Sequence, residues 1–73
     1  MRTYEVRIRF RADGPAVIGW WTDKAVAEAK FTKDIGRYGS QPGVIITLSV
    51  EGDGDVRVLE TWTSGHGRTV SSS

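Results

Sequence analysis

A chain of 73 residues with a formal net charge of +1 has room for one domain, and on folding it buries only about 60% of the surface its unfolded form exposes. It contains no cysteine and a single histidine, which excludes a disulfide framework, a thiolate nucleophile and a Cys/His metal set. No apolar run reaches membrane-spanning length and the N-terminus lacks the apolar core of a signal peptide, so the expected location is the cytoplasm.

From Thr3 to Arg11 the chain alternates: Tyr4, Val6, Ile8 and Phe10 on one side, Glu5, Arg7, Arg9 and Arg11 on the other. That is the period of a half-buried strand with an arginine-rich outer face. Ala12-Asp13-Gly14-Pro15 is turn chemistry. Ala16 to Trp20 reads either as a short hairpin partner or as a loose crossing to the next element, and Gly19 weakens the strand reading. Trp20 to Ser40 is the one stretch periodic enough for a helix. Thr22 is placed to cap it, with Trp21 and Val26 at the spacing of a hydrophobic staple. Ala27, Phe31, Ile35 and Tyr38 form its apolar stripe, and Lys30, Lys33 and Arg37 lie opposite. Gly39, with Pro42 soon after, ends it.

Val44 to Val50 is a second strong strand, and the short polar loop Glu51 to Asp55 implies a hairpin returning through Val56 to Thr63. In that return strand Val56, Val58 and Trp62 give the apolar phase, Glu60 interrupts it and Leu59 falls on the other side. Residues 64–73 are rich in Gly and Ser and are expected to form a disordered tail to the domain spanning 1–63. The fold class implied is α+β: a single helix packed on one face of a three- or four-stranded sheet, in the order β-(β)-α-β-β. The first strand, the helix and the second strong strand would make a right-handed crossover if the two strands ran parallel.

Candidate chemistry is sparse. His66 stands in Ser64-Gly65-His66-Gly67, with nothing in the sequence to aim it and no adjacent nucleophile. Glu51, Asp53 and Asp55 crowd a five-residue loop, too short for the twelve-residue calcium loop. Gly36 and Gly39 close a helix, where the dipole repels phosphate, and are better explained by capping and close helix–sheet approach. No carboxylate pair shares a wall. No catalytic residue, cofactor, metal or small-molecule substrate is therefore expected, and the chain does not read as an enzyme.

The outer sheet face carries two signals. Arg7, Arg9 and Arg11, joined by Arg57 from the return strand, could neutralise phosphates or read guanine edges, as in sheet-reading DNA proteins. Against this stands a near-neutral charge without the basic footprint of nucleic-acid binders. On the same face Ile45 and Leu59, with Trp20 beside them, give the aromatic, apolar and arginine mixture of a protein interface.

Trp21-Thr22, Ala29, Gly36 to Ser40, Pro42-Gly43-Val44 and Val58 to Trp62 together resemble a pattern in small bacterial proteins of high-GC or phage-like composition. The resemblance covers residues 3–63. It implies a compact α+β fold and no assigned activity. The sequence thus points to a non-catalytic interaction module that self-associates, or binds another protein, through the outer sheet face. The alternative is a DNA-binding protein using the arginines of the first strand.

Overall fold

The computed structural model describes residues 2–11 and 13–70. Its elements are β1 (Thr3–Arg9), β2 (Ala16–Trp21), α1 (Lys24–Tyr38), β3 (Ile45–Gly52), β4 (Asp55–Thr63) and β5 (Gly67–Val70). All five strands join one sheet in the order β2-β1-β3-β4-β5, and every pairing is antiparallel. The three- or four-stranded sheet and the order β-(β)-α-β-β are corrected on both counts, to five strands and β-β-α-β-β-β. No parallel crossover exists among the described residues.

One segment decides the strand directions. β2 folds back on β1 with an unbroken register from Tyr4 opposite Trp21 to Arg9 opposite Ala16. The chain is thereby returned to the end of the sheet where it began. α1 then carries it back along the sheet, so β3 enters beside the end of β1, Ile45 opposite Arg9, and runs antiparallel to it. A loose crossing at 16–21 would have left the helix and β3 reversed. Gly19 does not break β2, because the ring of Trp21 lies over it: a Cβ at position 19 would stand 2.5 Å from that ring. The aromatic covers the gap left by the missing side chain.

The helix is capped by Asp23 rather than Thr22. The Asp23 carboxylate accepts from the backbone N–H of Ala25 at 2.8 Å and Val26 at 3.4 Å, two of the four donors a helix start leaves unpaired. The one-residue shift removes the Trp21–Val26 staple, and Val26 is exposed. The stripe holds in part. Ala27 and Phe31 are fully buried, and Ile35 and Tyr38 pack at the margin. Beneath them lie Tyr4, Val6 and Ile8 of β1, Ile46 and Leu48 of β3, and Val44 just before it. At the other end Gly39 closes the helix, its N–H bonded to the Ile35 carbonyl at 2.8 Å. The Trp62 indole N–H donates to the Gly39 carbonyl at 2.9 Å, tying the helix end to β4.

The tail expected to be disordered contains a strand. Gly67, at φ +73°, lets the chain turn after Thr63, and Thr69 and Val70 continue the ladder opposite Thr61 and Glu60. Hydrophobic patterning missed β5 because Arg68 secures it. Arg68 Nε lies 2.6 Å from Glu60 Oε1, and the guanidinium sits over the Phe31 ring with its carbon 5.3 Å from the centroid. The hydrogen bond to Glu60, with the charges of Glu60 and Glu28 adding, raises the Arg68 pKa against the opposing effect of burial. Ser71 to Ser73 lie outside the described residues.

Candidate functional site: the helix-free sheet face

The helix covers one side of the sheet. On the other side the register lines up Ala16, Ile18 and Trp20 of β2 beside Arg9, Arg7 and Glu5 of β1. Next come Ile45, Thr47 and Ser49 of β3. Val56, Val58, Thr61 and Thr63 of β4 follow. A shallow groove of about 410 Å³ runs along β3, walled by Arg7 and Arg9 on one flank and by Val56 and Val58 on the other. Arg7 Nε is 3.2 Å from Glu5 Oε1, so part of the positive charge is balanced within the face.

Two of the expected face residues lie elsewhere, for one reason. Leu48 pairs with Glu60 while the next residue, Ser49, pairs with Val58, so Leu59 is an extra residue in β4. This is a β-bulge, and it changes the alternation. Leu59 packs at the margin of the core on the helix side. Arg57, opposite Val50, lines a separate cleft of about 380 Å³ with Arg2, Lys24, Asp53, Asp55 and Leu59. Neither residue belongs to the helix-free face. Arg11 lies beyond the end of β1, in the turn where its carbonyl accepts from Gly14 N–H at 3.1 Å. The arginine set on this face is therefore Arg7 and Arg9. Ile45 lies on the helix-free face, and so does Trp20, at the sheet edge and 57% exposed.

The bulge also separates Val56 and Val58 from Trp62, with which the sequence puts them in one apolar phase. Val56 is 67% exposed and Val58 40%, both on the helix-free face. Ile18 joins them from β2. The signal for this was the disturbed phase at Leu59 and Glu60, where two residues in succession belong on the helix side.

Other chemistry is limited. Asp34 is 2% exposed, with one oxygen 3.3 Å from Lys30 Nζ, at the side of a cleft of about 150 Å³ between α1 and β2. Its place on the buried stripe, three residues after Phe31, was hidden by its charge. His66 is exposed at the tip of the β4–β5 turn, where its backbone N–H donates to Thr63 Oγ1. Among the described residues no group of three or more His, Cys, Asp or Glu could hold a metal, and no helix is long and apolar enough to cross a membrane.

Fold and face together define a small antiparallel sheet with one helix on one side and a mixed apolar and arginine surface on the other. No family model, curated protein or solved structure matches the chain.

Proposed function

We propose that the protein is a non-catalytic module that self-associates through the helix-free face of its sheet. The observation that carries this reading is the set of large apolar side chains on that face, Ile18, Trp20, Val56 and Val58, which none of the described residues covers. Exposed apolar patches rimmed by polar groups mark association surfaces, and here Glu5, Arg7 and Arg9 run through the patch. The DNA reading has lost half its support. Arg57 and Arg11 are away from the face, and Arg7 is paired with Glu5.

Sedimentation across a range of concentrations tests the proposal. Ile45→Arg and Val58→Arg should each shift the protein to monomer without unfolding it, since an arginine in a dry contact is desolvated without a partner. Affinity for duplex DNA should be weak and unchanged by Arg7→Ala with Arg9→Ala. A wild-type monomer at high concentration would refute the proposal. Steeply salt-dependent DNA binding lost in the double variant would replace it with the nucleic-acid reading.

A further inference from the structure

The two edges of the sheet are not alike. β5 is short, four residues, and carries Arg68. Short, charged edges are the ordinary defence against unwanted strand pairing. β2, the opposite edge, is six residues, Ala-Val-Ile-Gly-Trp-Trp, with no charge, no internal proline and no bulge against β1. Val17 on the helix side of this edge and Trp20 on the bare side are both more than half exposed.

From this asymmetry we propose that β2 is a pairing edge whose occupant is the β2 of a second copy, antiparallel about a two-fold axis at Ile18. The register about that axis is favoured by size and by charge. It sets Trp20 against the second copy's Ala16, and Val17 against the second copy's Gly19, so that each large side chain meets a small one. Extending the row across the joint, Glu5 lies beside Trp20, and the second copy's Arg9 lies beside its Ala16. Each row therefore reads Glu5, Trp20, then the second copy's Ala16 and Arg9, with opposite charges at its ends. Symmetry makes two such rows. Only a methyl separates the second copy's Arg9 from the Trp20 ring, which invites a cation–π contact. The result is a continuous ten-stranded sheet, with both helices on one side and a single bare face twice as wide. This joint is distinct from the face contact proposed above and would form even if that face stayed bare. An edge joint is small, so its association is of the weak, concentration-dependent kind.

The chain has no cysteine, so single cysteines report cleanly. Directly opposed residues of an antiparallel pair have Cα atoms about 4.5–5.5 Å apart, within disulfide reach, whereas stacked sheets are about 10 Å apart and out of reach. Ile18→Cys should form a disulfide-linked dimer at least tenfold faster than Val56→Cys, although position 56 is the more exposed of the two and lies far from the joint. Adding Val17→Lys, whose side chain lies on the helix side, should slow Ile18→Cys linking about tenfold while the circular dichroism spectrum stays native. Equal linking rates for Ile18→Cys and Val56→Cys, or no effect of Val17→Lys, would overturn the edge pairing. A wild-type dimer that Ile45→Arg dissociates, with Ile18→Cys linking no faster than Val56→Cys, would overturn it and leave the face contact standing. Fast Ile18→Cys linking in a protein indifferent to Ile45→Arg and Val58→Arg would do the reverse.

Discussion

Gly36 and Gly39 stand three residues apart at the end of one helix, and replacing each with alanine should change stability in opposite directions. Gly36 is helical and a Cβ there would meet nothing within 4 Å. Alanine at that site gains about 0.5–1 kcal/mol, because it restricts the unfolded chain and suits the helix. Gly39 has φ −65° and ψ −19°, a backbone equally open to alanine. The obstacle is contact. A Cβ at 39 would lie 2.4 Å from the Ile35 carbonyl oxygen and 2.7 Å from Trp62 Nε1. Overpacking of this kind costs about 1–3 kcal/mol, and displacing the indole from the Gly39 carbonyl forfeits about 1 kcal/mol more. Set against a propensity gain of about 1 kcal/mol, the net loss is about 1–3 kcal/mol. In a domain of this size each kcal/mol moves Tm by about 4–8 °C. Gly39→Ala should therefore melt about 5–20 °C lower than wild type and Gly36→Ala a few degrees higher, by calorimetry or circular dichroism. Trp62 fluorescence should shift only in Gly39→Ala. Equal stabilisation by both would refute the claim that Gly39 is there for the approach of Trp62.

Phe31→Ala removes the buried aromatic at the centre of the core and should cost about 3–5 kcal/mol, a large share of the stability of a small domain. Lys33→Ala on the exposed side should stay within about 0.5 kcal/mol, and equal losses in thermal melts would contradict the helical phase. Truncation after Ser64 deletes β5 and strips Arg68 from Phe31, so Tm should fall clearly. A change of only a degree or two would mean the fifth strand contributes nothing. Gly54→Ala places a side chain at φ +84° with free space around it, so its cost is purely conformational, about 1–2 kcal/mol in a urea titration.

The helix, β1, β3 and the β3–β4 hairpin were legible from period and turn chemistry alone. Three features were not, each for its own reason. β2 carries a glycine in its middle, and what makes that tolerable is a Trp21 ring two residues on, a contact that no period encodes. β5 has a single apolar side chain, and it is ordered by an arginine lying on a ring of the helix, an interaction 37 residues away in sequence. The cap moved from Thr22 to Asp23 because both residues are good caps, and nothing local chooses between them. Of the candidate face, Arg7, Arg9 and Ile45 followed from alternation, while the place of Trp20 depended on β2, which the sequence left open. Leu59 and Arg57 did not, because alternation assumes an unbroken ladder and β4 has an extra residue.

That extra residue leaves the hairpin one step from a second pairing. Between Gly52 and Asp55 the turn is the two-residue Asp53-Gly54, with φ +53° and +84°, the signature of a type I′ hairpin. The turn therefore dictates one register, the Trp62 end of β4 dictates another offset by one residue, and the bulge reconciles them. If the hairpin slipped to a three-residue turn, Asp53 to Asp55, Leu59 would pair with Ser49 and the bulge would vanish. Val56 and Val58 would turn inward, and Arg57 and Leu59 would turn out, Arg57 beside Glu51 and Leu59 beside Ser49. The molecule would exchange a valine wall for an arginine on its open side without altering a single residue. Gly54 and the burial of Leu59 hold the hairpin against that slip, so the character of the whole face rests on the handedness of two backbone angles at its far corner.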